Sequence, residues 1–135
     1  MEADEMRDPE NTAAAGEEQM TGLAGKACVP CRGGIPPLTA GEIRPLHDQV
    51  PDWHVVDHHH LKREFRFADF KSALKFVDCV GAMAEEQGHH PDIHLAWGRV
   101  CVEVWTHKID GLTESDFIFA AKTGEIWKRA EGKRG

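Results

Sequence analysis

Three imidazoles are the side chains best placed to do chemistry in this chain. His89 and His90 are adjacent, follow Glu85-Glu86-Gln87-Gly88 and precede Pro91; His107 follows Thr106, seventeen residues past His90. Imidazoles that titrate near neutrality serve as general acid, general base or substrate clamp without a metal. The same three residues are also of the zinc-ligand type. Geometry separates the two readings. Zinc requires nitrogens converging within about 2.0–2.1 Å of one point, whereas proton transfer requires a concave pocket the size of a substrate.

Two other clusters compete for attention. Asp57-His58-His59-His60 looks like a metal site, but consecutive residues of a hairpin turn point in different directions, so it reads as a solvated polar turn. Cys28-Val29-Pro30-Cys31 lacks both a second ligand pair for zinc and a helix starting at the first cysteine. A structural role is the simpler reading for that pair, with metal or redox chemistry as its rival.

Composition narrows the function classes. A chain of 135 residues with formal charge −7 and pI about 5.7 is one small domain without the basic surface that nucleic-acid binding needs. No apolar run approaches a membrane span, and no basic-then-apolar signal pattern opens the chain. The four cysteines do not form a disulfide framework, which fits a reducing, cytoplasmic setting.

The elements that must position the histidines follow from pattern. Residues 1–27 are acidic and aperiodic and read as a disordered tail; residues 28–37 are a Pro/Gly-rich lead-in. Thr39-Ala40-Gly41-Glu42 fits a capping box, opening a helix with Ile43, Leu46 and Val50 on one face and Pro51 at its end. Trp53–Val56 and Leu61–Phe67 read as a strand pair. Asp69 caps a long helix from Phe70 to about Gln87, and Gly88 stands where a left-handed C-cap belongs. That places His89 and His90 just past a helix end.

Ile93, Leu95 and Trp97 alternate, Gly98-Arg99 makes a turn, and Val100, Val102 and Val104 alternate in the next strand. His107 then falls on the face of Glu103 and Trp105, away from the valines. This strand, Val100–Trp105, is also a candidate edge for pairing between subunits. Thr113-Glu114-Ser115-Asp116 resembles a cap leading a final helix through Phe117, Ala120, Ala121 and Ile126, and residues 127–135 read as a polar tail. The order α-β-β-α-β-β-α predicts an α+β fold, a four-stranded antiparallel sheet with three helices on one face.

The chain at this point resembles a known family. Glu85-x-x-x-His89-His90-Pro91, Thr106-His107 and Gly111-Leu112-Thr113-Glu114-x-Asp116 are similar to the pterin-4a-carbinolamine dehydratases. So are Trp53 and Phe65-Arg66-Phe67-x-Asp69-Phe70, and the lead-in is similar to that of bacterial members. The likeness runs over residues 38–126. It implies elimination of water from a 4a-hydroxytetrahydropterin to give the quinonoid dihydropterin, with no metal or organic cofactor. It also implies a homodimer or homotetramer and a metabolic link to an aromatic amino acid hydroxylase.

The resemblance makes His89, His90 and His107 the catalytic histidines, with His89 and His107 as general acids and His90 as binding or base residue. Gly88, Pro91, Trp105, Thr106 and Lys108 match substrate-contacting positions. Three supporting residues each have a plainer alternative. Glu85 orients an imidazole or is a solvated helix residue; Asp116 holds His107 or its loop, or is only a helix cap; Trp53 walls the pocket or is core. Two other functions compete with catalysis: a metal-binding module built on the nine histidines and Cys28/Cys31, and an interaction protein, since animal members pair with a transcription factor through a helix surface.

Overall fold

Thr39 opens the first helix by the reciprocal bonds its sequence encodes. Its hydroxyl accepts from the Glu42 amide, and the Glu42 carboxylate accepts from the Thr39 amide. The computed structural model describes residues 22–29 and 33–134. Helix α1 spans Ala40–His47, strand β1 His54–Val56, strand β2 His60–Arg66, helix α2 Phe70–Gln87, strand β3 Asp92–Ala96, strand β4 Arg99–Val104 and helix α3 Glu114–Arg134.

The strands form one antiparallel sheet in the order β1-β2-β4-β3. Register decides which face is buried. Leu61 pairs with Val104, Arg63 with Val102 and Phe65 with Val100, and the apolar members of this row are closed to solvent. The next row of residues, Lys62 with Glu103 and Glu64 with Cys101, lies on the opposite face. The helices cover the apolar face, where Phe76, Val80, Phe117 and Phe119 complete the core. The expected layer arrangement and element order are therefore those of the molecule. Each fully buried aliphatic or aromatic side chain adds about 1.5–3 kcal/mol of transfer free energy.

Several boundaries differ from the sequence reading. α1 stops at His47, before Val50, where the chain turns and the Val50 amide donates to the His47 carbonyl. Trp97 occupies the β3–β4 turn and is 68% exposed instead of continuing the strand alternation. The strand Arg99–Val104 is interior, flanked by β2 and β3, so it offers no edge to a second subunit; the edges are β1 and β3. At the N-terminal end, Gly22–Gly25 form a 3-10 turn with Leu23 and Ala24 buried, so the expected tail does not extend to residue 27. The rest of that expectation, residues 1–21, lies outside the described residues.

The largest correction concerns residues 127–134. α3 continues to Arg134, and Trp127 packs on Phe65, Phe67 and Phe76 with ring centroids 5.2, 5.3 and 5.9 Å apart. Phe119, Thr123 and Trp127 recur at four-residue steps on one helix face. The stripe is hidden in the sequence because its middle member is a threonine, whose hydroxyl donates to the Phe119 carbonyl at 2.9 Å and is thereby satisfied inside the core. Trp127→Ala should lower the unfolding free energy in urea by about 2–3 kcal/mol, less than for a fully enclosed tryptophan. An unchanged unfolding midpoint would show that residues past Ile126 add nothing to the core.

Candidate active site

Gly88 ends α2 in the left-handed region, φ 65°, ψ 28°, a conformation that costs other residues strain. Its amide and that of His89 bond back to the last carbonyls of the helix, including His89 N–H to Ala84 O at 3.2 Å. The cap turns the chain so that His89 drops inward while His90 stays on the surface.

His89 is bonded through Nε2 to Asp116 Oδ1 at 2.5 Å. Asp116 has no solvent exposure, whereas the His89 side chain keeps 13%. The second carboxylate oxygen, Oδ2, accepts from the Thr113 amide at 2.8 Å and from the Thr106 hydroxyl at 2.9 Å. Because Thr106 gives its proton to Asp116, the Thr113 hydroxyl is the donor in the 3.0 Å Thr106–Thr113 contact. An ionised carboxylate can only accept, so His89 Nε2 carries a proton and Nδ1 is the ring nitrogen left for other partners. Asp116 is thus both a cap at the start of α3 and the holder of an imidazole. The imidazole is His89, not His107, which corrects the expectation; the loop carrying His107 is held as well, through Thr106.

His90 pairs through Nε2 with Glu85 Oε2 at 2.7 Å, on an exposed surface. Glu85 therefore orients an imidazole, and the one it orients is His90. Exposed pairs of this kind contribute little to stability, so Glu85 sets direction more than affinity.

His107 begins a 3-10 turn, His107–Ile109, past the end of β4. Its ring stands edge-on to Trp105 at a centroid distance of 4.5 Å. The turn closes at Asp110, φ 54°, and the Thr106 amide bonds to Gly111 O at 2.9 Å. The proline-rich lead-in braces this loop from outside: the Leu38 amide donates to Leu112 O at 2.9 Å. A Cβ on Gly111 would come 2.6 Å from Pro37 Cβ, so only glycine allows that approach. Gly33 lies against Lys108, with 3.9 Å between a Cβ built there and Lys108 Cβ.

Other expectations resolve by position. Thr106 is buried and fully engaged, so its side chain positions its neighbours and does not face a ligand. Trp53 is 1% exposed and packs on Phe65 as core, with His47 Nε2 on its carbonyl at 2.6 Å; its indole nitrogen has no hydrogen-bond partner among the described residues. His59 and His60 do not form a merely solvated turn. Both rest on Trp105, at 5.2 and 5.6 Å, and His59 Nε2 meets Asp110 Oδ1 at 2.7 Å. Sequence order hides this contact, because β2 and β4 are adjacent only in the folded sheet. Among the described residues, no group of three or more His, Cys, Asp or Glu is arranged to hold a metal ion. The Cys28 thiol lies against the Ser115 carbonyl at 3.5 Å, and burial pushes its pKa up to about 11, against the opposing pull of Lys122. A thiol so raised is a poor ligand and a poor nucleophile.

Fold and site together define an α+β domain in which a buried carboxylate ties a helix-end histidine to a loop carrying a second one. The comparisons agree on what that domain is. Residues 36–126 match the family model described as Pterin 4 alpha carbinolamine dehydratase. A protein of Rubrobacter xylanophilus with the provisional name pterin-4-alpha-carbinolamine dehydratase is 60% identical over 107 residues, covering 79% of this chain and 100% of its own. One of Alkaliphilus metalliredigens with the same provisional name is 52% identical, covering 76% and 94%. A crystal structure of a transcriptional coactivator/pterin dehydratase from Brucella melitensis superimposes with TM-score 0.63 at 34% identity, covering 67% of this chain and 97% of that one. The chain belongs to the pterin-4a-carbinolamine dehydratase family.

Two measurements check the site. Thr106→Val keeps the shape but removes a donor from the buried Asp116 carboxylate. The unfolding free energy should fall by about 1–3 kcal/mol, and no loss would place that carboxylate in contact with water. Iodoacetamide at pH 8 should label exposed Cys79 well before Cys28, read by peptide mass spectrometry; equal rates would contradict the raised Cys28 pKa.

Proposed function

We propose that this protein eliminates water from a 4a-hydroxytetrahydropterin to give the quinonoid dihydropterin. The observation that carries the reading is the His89–Asp116–Thr106 chain leading to His107, in a member of the pterin-4a-carbinolamine dehydratase family. In the reaction the C4a–O bond breaks, the N5 lone pair forms the C4a=N5 double bond, the N5 proton leaves, and the departing hydroxide takes a proton to become water. No electrons are gained or lost overall.

The residues divide this work. His89, held by a buried anion, donates the proton to the leaving oxygen, and His107 serves the other face of the bicycle as the second acid. The carboxylate holds the ring in one direction, as a positioned proton donor requires. His90, with Glu85 behind it, holds the ring or accepts the N5 proton. Gly88 and Pro91 set the backbone around the histidine pair. Trp105 gives a flat apolar surface beside His107, and Lys108 a cation at the rim. The reaction would serve recycling of a tetrahydropterin for an aromatic amino acid hydroxylase in a reducing, cytoplasmic setting.

We also propose that the chain assembles as a homodimer or homotetramer. Phe70 and Leu74, 43% and 41% exposed on α2, and the open edge of β3 support self-association.

The test is the decay of 4a-hydroxypterin absorbance with purified protein. Acceleration over buffer is expected, and His89→Ala or His107→Ala should each reduce it by about 10²–10⁴-fold. A folded protein that does not accelerate the decay would refute the proposal. Activity in Phe70→Glu/Leu74→Glu protein would separate catalysis from any role of the α2 surface.

A further inference from the structure

Residues 22–29 lie far ahead of His89 and Asp116 in the chain, yet their hydrogen bonds go to both sides of that pair. The Cys28 amide donates to Gln87 Oε1 at 2.9 Å, at the last residue of α2 and two positions before His89. The Val29 amide donates to Ser115 Oγ at 2.9 Å, and Ser115 Oγ donates back to Val29 O at 3.2 Å. Ser115 immediately precedes Asp116. The Cys28 thiol adds a contact to the Ser115 carbonyl.

This segment is anchored independently of the site. Leu23 and Ala24 are buried, 4% and 8% exposed, Lys122 Nζ donates to Ala24 O at 2.9 Å, and Lys26 pairs with Glu114 at 2.8 Å. The strap therefore has its own foothold on α3 and reaches across to the end of α2.

The geometry points to residues 22–29 as a latch that sets the separation of the α2 C-terminus and the α3 N-terminus, with Gln87 and Ser115 as positioning residues for the His89–Asp116 bond. Neither residue touches a substrate in this scheme. The physical reason is that His89 sits beyond a glycine cap, where the helix no longer constrains the backbone. His89 follows α2 and Asp116 lies in the first turn of α3, so the hydrogen bonds within each helix hold only one end of the pair. The strap also explains why Ser115 is buried at 6% exposure while its hydroxyl bonds to Val29 in both directions. It gives the lead-in a use that requires no thiolate.

The test uses the full chain with Gln87→Leu and Ser115→Ala, each beside a conservative partner that keeps the bond, Gln87→Glu and Ser115→Thr. The first readout is NMR exchange of the His89 Nε2 proton. It should exchange at least about tenfold faster in Gln87→Leu and Ser115→Ala than in the parent, and return toward the parent rate in Gln87→Glu and Ser115→Thr. Backbone amide shifts of β4 report whether each variant is folded, and Gln87→Leu, at a half-buried helix end, is the variant least exposed to global unfolding. Unchanged exchange in a folded Gln87→Leu protein would overturn the latch. The kinetic consequence rests on the dehydratase reading: kcat should fall by roughly tenfold or more with KM nearly constant, since a displaced acid weakens the transition state more than binding. A parent protein without dehydratase activity would refute that reading, while the exchange measurement would still decide the latch.

Discussion

The buried carboxylate of Asp116 is the constraint on which the rest of the site depends. An unpaired ionised group in the interior is costly, and Asp116 has no exposure to water. Its oxygens are satisfied by donors from three separate segments: His89 after α2, Thr106 after β4 and the Thr113 amide ahead of α3. Because each donor is needed, the three segments are forced to one place. The requirement to satisfy one anion thus assembles the ends of two helices and a strand, and the catalytic candidates ride on those ends.

The three histidines are held with unequal firmness, and the difference follows from burial. His89 is enclosed, paired with a buried anion and near Phe119. Its ring direction is set before any ligand arrives, which is the condition for effective proton transfer. His90 and Glu85 are both exposed, so water competes for their bond and the pair can adjust to a ligand. His107 is held by its loop and by the edge of Trp105. The site thus combines one imidazole fixed by a buried anion with one whose partner is open to water.

Features set by short-range chemistry were legible. The Thr39 capping box, the Asp69 cap on the Ser72 amide and the left-handed Gly88 all sit where their residue types require. So does the buried row Val100, Val102 and Val104. Local reading failed where a polar residue interrupted an apolar stripe, as Thr123 does between Phe119 and Trp127, and where buried residues sit in a short apolar patch, as with Leu23 and Ala24. It also failed for strand order, because β4 pairs with β2 across the intervening helix and so becomes interior.

The sequence by itself determined the elements, their order and the three imidazoles, since caps, periodicity and motif spacing act over a few residues. It also carried the resemblance that named the family. Only the tertiary structure decided that Asp116 belongs to His89, that Glu85 belongs to His90, and that Trp105 is shared by His59, His60 and His107. A further contact of this kind, His59 with Asp110, spans 51 residues. Such pairings are fixed by which strands neighbour each other and by which polar atoms are left to satisfy in the interior, and neither is a property of any local stretch of chain.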